Sequence, residues 1–217
     1  MIQKKQNVSM SVIRRLPRYY RFLTELNKKG ETRISSKELS QKMGFTASQI
    51  RQDFNCFGGF GQQGYGYNIP QLCREIEKIL GIQKQHPCIL IGAGNLGKAI
   101  AGHMPFEQLG FSLIGIFDNA KRVIGGKISG HEILDYAAVK DFYHQQHPLM
   151  AILCVPREYV EDVSDELYGL GIRSFWNFSH YDITIKHPDA IVENVHMNDS
   201  LMTLSYKLAL AEQEEES

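Results

Sequence analysis

The sequence predicts an α/β protein: an N-terminal winged helix-turn-helix domain, then a Rossmann-like parallel-sheet domain, then a C-terminal helix. Three observations carry this. Residues 1–67 hold 12 Lys/Arg against 4 Asp/Glu, whereas residues 68–217 hold 12 against 20, so the net charge of zero hides a basic end suited to a polyanion. Two short amphipathic helices flank a turn at Gly44 and are followed by Gly58 to Tyr67, in which five of ten residues are glycine. Further on, Gly92-Ala93-Gly94-Asn95-Leu96-Gly97 stands between an apolar run and a helical one.

The bulk numbers exclude other classes. A chain of 217 residues holds one large domain or two small ones. No apolar run approaches the roughly 18 residues of a spanning helix, and the first ten residues lack the apolar core of a signal peptide, so a cytoplasmic protein without a membrane segment is expected. Cys56, Cys73, Cys88 and Cys154 form no CxxC pair and read as reduced thiols rather than a disulfide or zinc framework.

In chain order, residues 1–8 are polar and read as a frayed end. A helix is predicted over 9–29, with Val12, Leu16, Tyr19, Tyr20, Leu23 and Leu26 at three- and four-residue steps; Pro17 either kinks it or stands in its first turn. Ser35 or Ser36 caps a second helix, 37–43, which buries Leu39 and Met43. Thr46 caps a third, 47–57, with Ile50 and Phe54 inward. The short turn between them is a helix-turn-helix signature. The glycine-rich stretch cannot be helical and fits a β-hairpin, a wing. A helix over 70–81 and a polar linker over 82–87 follow. Alternation then begins: strands at 88–91, 111–117, 150–155, 173–178 and 190–195, with helices at 96–104, 136–145 and 158–168, which argues for a parallel sheet. A last helix, 198–211, carries Leu201, Leu204 and Leu208 on one side, and the acidic tail 212–217 reads as disordered. The predicted domains are therefore 1–81 for DNA, 82–87 as linker, 88–196 for the dinucleotide, and 197–217 as terminal helix and tail.

The glycine motif becomes a dinucleotide fingerprint because it leaves a strand and opens a helix. Gly92 permits the turn, Gly94 lets backbone approach a pyrophosphate, and Gly97 lets the helix pack on the sheet. The pyrophosphate is expected over Ala93, Asn95 and Leu96 at the helix N-terminus. Asp118 ends the second strand, where a carboxylate accepts both ribose hydroxyls and repels a 2′-phosphate, favouring NAD(H) over NADP(H); Lys121 and Arg122 stand close enough to soften that preference. Val155, Pro156, Asn177 and Phe178, at later strand ends, are expected near the nicotinamide half. His103, His131 and His180 have no obvious catalytic partner and there is no second substrate domain, so the module reads as binding a cofactor rather than using it.

On the third helix, Ser48, Gln49, Arg51 and Gln52 face outward, residue types that read base edges or phosphates. Arg14, Arg15, Arg18, Ser36 and Lys37 are candidates for backbone contacts, and Gln62, Gln63 and Tyr65 for contacts from the wing.

Arg15-Leu16-Pro17-Arg18-Tyr19-Tyr20-Arg21, Ile34 to Leu39, Ile50 to Phe54, Phe57 to Tyr67, Gly92 to Gly97, Phe117-Asp118 and Trp176-Asn177-Phe178 closely resemble the Rex family of redox-sensing transcriptional repressors, over nearly the whole chain after residue 8. The resemblance implies a homodimer in which the C-terminal helix is exchanged between subunits, inserting between the partner's two domains. It implies double-stranded operator DNA with an AT-rich inverted repeat. NADH and NAD⁺ then act as regulatory ligands, NADH releasing the operator and NAD⁺ competing, with no catalysis. Arg21, His103, His196 and Met197 fall where sensing or interdomain residues are expected. Three positions depart from the family: Gln52 where a basic residue is usual, His103 where many members have tyrosine, and His196-Met197 where an acidic residue precedes an apolar one. Two other readings remain open from the residues alone: a small NAD-dependent dehydrogenase, and a repressor whose Rossmann domain binds CoA or another nucleotide.

Overall fold

The computed structural model describes residues 8–58, 61–62 and 65–215. The chain divides between Gln83 and Lys84 into two compact units. The expectation of a frayed residue 1–8 segment therefore lies almost wholly outside the described residues.

In the first unit the helix predicted over 9–29 is two helices, α1 (Met10–Ile13) and α2 (Leu16–Lys28). Pro17 explains the break. It has no N–H, and its ring clashes with a preceding helical carbonyl, so it is tolerated only in a first turn, where it stands here. β1 (Arg33–Ile34) leads to α3 (Ser36–Met43). The Ser35 hydroxyl accepts from the Glu38 N–H at 3.1 Å while the Ser35 N–H donates to the Glu38 carboxylate at 2.7 Å, a reciprocal cap that holds the Glu38 carboxyl below the usual range. Gly44, at φ +72°, ends α3, and Thr46 caps α4 (Ala47–Asn55). That helix stops two residues short of expectation because the chain turns towards Gly58, at φ +105°. β2 (Gly61–Gln62) and β3 (Gly66–Asn68) form with β1 an antiparallel sheet in the order β1-β3-β2, the predicted wing. Gly66 is required there: a Cβ would stand 2.7 Å from the Ile34 carbonyl oxygen. α5 (Ile69–Leu80) closes a core of Leu16, Tyr19, Leu39, Ile50, Phe54 and Leu72.

The second unit runs β4 (His86–Ile91), α6 (Asn95–His103), β5 (Phe111–Asp118), β6 (Lys127–Ile128), β7 (His131–Asp135), α7 (Val139–Gln146), β8 (Met150–Leu153), α8 (Arg157–Leu170), β9 (Ser174–Asn177), β10 (Ile191–Asn194) and α9 (Met197–Glu215). The sheet order is β10-β9-β8-β4-β5-β7-β6, parallel except for the β6–β7 hairpin. Chain order reverses between β4 and β8, the switch point of a doubly wound sheet. Ile89, Ile91, Ala151 and Leu153 pack towards Val139, Val160 and Leu167 of α7 and α8, while Cys88, Leu90 and Ile152 face Ile100 and Ala101 of α6. Burial on both faces explains the unbroken apolar runs.

Three sequence expectations need correction here. The linker over 82–87 is shorter, because His86 and Pro87 already pair with Phe111 and Ser112 of β5. The β6–β7 hairpin was not foreseen; its strands are short and half exposed, so neither carries a strong period. The tail over 212–217 is helical through Glu215, in keeping with the helix-forming run of Ala, Leu and Glu before it. α9 is also apolar on more than one side. Leu201, Leu204 and Leu208 are 67%, 51% and 57% exposed, and Met202, Tyr206 and Leu210 form a second exposed stripe at four-residue steps.

Candidate cofactor pocket and nucleic-acid face

A cavity of about 400 Å³ opens at the switch point. Gly92, at φ +98°, turns the chain out of β4, and a Cβ there would lie 2.6 Å from the Cys154 carbonyl oxygen. A Cβ on Gly97 would lie 1.8 Å from the Gly92 carbonyl oxygen, so this glycine is required by helix–turn packing. Gly94 differs: a Cβ there meets nothing within 4 Å. Its side-chain volume is open space over the first turn of α6, where backbone N–H groups lack intrahelical partners and the dipole favours an anion.

Asp118 is tied to this turn. One carboxylate oxygen accepts from the Ala93 N–H at 2.6 Å and the other from the Ala120 N–H at 2.7 Å. Each oxygen keeps a further lone pair for a hydroxyl donor. Of the predicted cofactor residues, Gly92, Ala93, Gly94, Asp118, Val155 and Pro156 line the cavity, and Asn95, Leu96 and Gly97 form the helix start beside it. Asn177 and Phe178 do not line it. The Asn177 carboxamide is fully committed, donating to the Tyr181 carbonyl and Asn194 Oδ1 and accepting from the Ser179 N–H and hydroxyl. Phe178 packs edge-on to Trp176 at 4.7 Å. Their role here is to shape the loop after β9. Arg122, expected beside Asp118, lines the cavity, whereas Val123, Tyr136, Tyr159 and Asp162 line it and were not foreseen; these four come from the loop after β5, the turn after β7 and α8, brought to the site by the sheet order rather than by any local motif. Cys154 lines it too, but burial pushes its thiol up to about 12, so it is a neutral wall.

In the first unit, Arg14, Lys37, Ser48, Arg51 and Gln52 are exposed. Arg51 Nη1 donates to the Ser36 hydroxyl at 3.2 Å, Ser48 shares a hydrogen bond with Thr46, and Gln49 is half-buried. Tyr65 is 69% exposed, with the Arg33 guanidinium 5.9 Å from its ring and donating to its carbonyl. Gln62 lies in β2, and Gln63 lies outside the described residues. Two candidates are not free as expected. Arg15 grips the buried Asp53 through Nε and Nη2 at 2.7 and 2.6 Å, and Arg18 donates to the Met43 carbonyl at 2.7 Å while lying over Phe45. Both fasten α2 to the helix-turn-helix.

Residues 7–55 match the family described as Putative DNA-binding protein N-terminus, and residues 83–181 match the CoA binding domain. The redox-sensing transcriptional repressor Rex of Thermoanaerobacter pseudethanolicus is 53% identical over 207 residues, covering 95% of this chain and 92% of the relative. The Rex of Clostridium perfringens is 51% identical, covering 95% and 97%. The chain belongs to the Rex family of redox-sensing transcriptional repressors. Among solved structures, the Rex-family repressor RSP in complex with β-NAD⁺ and operator DNA superposes with a TM-score of 0.87 at 52% identity, covering 96% of each chain. RSP in complex with β-NADH gives 0.87 at 48%, covering 97% and 98%.

At the positions where the Rex resemblance departs, the second unit shows a histidine pair. His196, immediately before α9, stacks on His180 with ring centroids 5.3 Å apart and planes 12° apart. His196 Nδ1 is buried and has no hydrogen-bond partner among the described residues. Met197 is 61% exposed, His103 is exposed at the end of α6, and Arg21 is exposed on α2.

Proposed function

We propose that this Rex-family chain binds an inverted-repeat operator as a homodimer and lets go when NADH enters the pocket beside Gly94, with NAD⁺ competing for the same pocket and leaving the operator bound. The observation that carries this reading is the full-length likeness to RSP, which has been solved with β-NAD⁺ and operator DNA and with β-NADH. The pocket fits the ligand's chemistry: an open space over a helix start for a pyrophosphate, and a carboxylate with spare lone pairs for ribose hydroxyls. The contact residues are Gly92 to Gly97, Asp118, Val155 and Pro156 for cofactor. For DNA they are Arg14, Ser36, Lys37, Ser48, Gln49, Arg51, Gln52 and Tyr65. We assign sensing of the nicotinamide to the position of His196, on which His180 stacks; neither ring lines the cavity among the described residues.

Two apolar surfaces of the second unit support the dimer. α9 exposes leucines on two stripes, and a groove of about 720 Å³ lined by Met104, Phe106, Phe111, Met150 and Trp176 is open on the α6 face of the sheet. Exposed area of this kind is stabilised when a second copy covers it. We place DNA binding in residues 1–81, cofactor binding in 88–196 and exchange in 197–217. Action on DNA, and the lack of any helix long and apolar enough to cross a membrane among the described residues, favour the cytoplasm.

A second reading has one supporting observation, the match to the CoA binding domain. CoA carries a 3′-phosphate where NAD(H) has a hydroxyl, and Asp118 opposes that charge. Titrating NADH, NAD⁺ and CoA separately into the protein–DNA complex tests both. NADH alone should dissociate it; dissociation by CoA and not NADH transfers the function to the second reading. Truncation after Asn194 should give monomers in sedimentation, and a truncated chain that stays dimeric removes α9 from the interface.

A further inference from the structure

The Val8–Val12 stretch and the C-terminal half of α4 enclose an open concavity of about 820 Å³ in the first unit. Ser9, Ser11, Arg15, Gln52, Asp53 and Asn55 supply its polar lining. Its two charged side chains are the paired Arg15 and Asp53. Asp53 is 2% exposed, and its carboxylate already accepts from Arg15 Nε, Arg15 Nη2 and the Tyr19 hydroxyl, the last at 2.8 Å, so it offers little to an incoming group. Arg15 keeps Nη1, whose two N–H groups have no partner among the described residues. The Ser9 and Ser11 hydroxyls, 2.8 Å from one another, and the Gln52 and Asn55 residues line the same concavity. Among the described residues no other carboxylate lines the concavity.

A guanidinium fixed by its carboxylate, in one concavity with hydroxyl and amide donors, suits one anionic oxygen ligand. It does not suit base readout, which uses a free bidentate guanidinium, and the other edge of Arg15 is spent on Asp53. Ser48, Gln52 and Asn55 recur at four and three residues along α4, so the concavity continues the outer stripe of the reading helix to its C-terminal end. We propose that it is a phosphodiester site: Arg15 Nη1, with Ser9, Ser11 and Asn55, holds one backbone phosphate of the duplex beside the groove that α4 enters. The proposal rests on the DNA-binding reading above. It gives Arg15 two uses, the Asp53 pair setting the guanidinium plane and Nη1 meeting the phosphate.

The test uses the full-length dimer, a labelled random-sequence duplex, and a palindromic duplex that the protein itself selects. Asn55→Asp adds a negative charge to the site, and the double variant Ser9→Ala/Ser11→Ala removes two donors without touching a helix cap, since Ser9 makes no side-chain cap bond. Asn55→Asp should weaken both duplexes by the same factor, about tenfold, and make the slope of log K against log[salt] shallower by roughly one per chain. The serine pair should weaken both equally but less. A neutral methylphosphonate at one linkage per half-site should weaken the natural protein and leave Asn55→Asp unaffected. Where melting shows that Asn55→Asp unfolds the first unit, Asn55→Ala serves instead, with the same equal loss required. Unchanged affinity for both duplexes, or a loss confined to the selected palindrome, overturns the site. Failure of the natural protein to bind either duplex in a salt-dependent way overturns the DNA reading itself, and the site with it.

Discussion

The two units make their sites from different materials. The end of the proposed cofactor pocket that would take the pyrophosphate and ribose is chiefly backbone: three glycines, a helix start and one carboxylate that is itself held by two backbone N–H groups. The proposed DNA face is chiefly side chain, and its candidates are divided between exposed groups and internally bonded ones. Arg14 is exposed, whereas Arg15 and Arg18 are fastened to Asp53 and to the Met43 carbonyl. A backbone site is rigid because the fold that makes it also makes the core. A side-chain site depends on which partner each charge finds first.

The largest effect that separates these materials lies within the glycine turn. Gly94→Val should abolish binding of NADH and NADPH alike while leaving melting unchanged, because the new side chain enters only the space of the pyrophosphate. Gly97→Ala should instead destabilise the second unit by about 3 kcal/mol, since its Cβ collides with backbone that has little freedom to move. Calorimetric melting with cofactor titration reads both. If Gly94→Val also melts early, the open space at that position is needed by the fold, and the division between ligand glycine and packing glycine fails.

This contrast accounts for what was legible in the sequence. The Rossmann order, the glycine turn and Asp118 could be read because backbone demands leave glycines at fixed spacing. The hairpin wing was readable for the same reason, with Gly66 pressed against Ile34. The fate of Arg15 was not readable, because its partner Asp53 is 38 residues away and one carboxylate at the foot of a helix gives no sign of facing inward. The commitment of Asn177 to Tyr181, Ser179 and Asn194 was hidden likewise. Tyr136, Tyr159 and Asp162 reach the pocket only through the sheet order, which no local pattern reports.

Within the DNA face, Arg15 and Arg51 sharpen the comparison. Arg15→Ala leaves the buried Asp53 carboxylate with the Tyr19 hydroxyl alone, a loss of about 3 kcal/mol in the stability of the first unit. Arg51→Ala should leave stability nearly unchanged and lower preference for the selected operator over random duplex by about 1–3 kcal/mol. Urea melts and paired binding isotherms distinguish them. An Arg15→Ala protein as stable as the natural one would show that the ion pair contributes nothing net and that the arginine is held for contact alone.

The smallest effect is also the most direct measure of the two materials. A dimer touching some six to ten phosphates through formal charges releases condensed counterions, so log K for DNA should fall against log[salt] with a slope of roughly −5 to −9. NADH brings only a pyrophosphate, carries no condensed counterion layer, and meets helix-start N–H groups rather than a ring of lysines. Partly enclosed dipoles are screened less than exposed ions. Its affinity should therefore change with a slope of magnitude below about one over the same salt range. Arg122 is the side chain able to break this rule, because it lines the pocket near Asp118. If it pairs with the ligand's phosphates, NADH binding will weaken clearly with salt, and Arg122→Ala will restore the flat response. If it serves a 2′-phosphate instead, NADPH will approach NADH in affinity at low salt and fall away as salt rises. A flat response for NADH with NADPH weaker throughout leaves recognition to the backbone and to Asp118, and that is the outcome the geometry predicts.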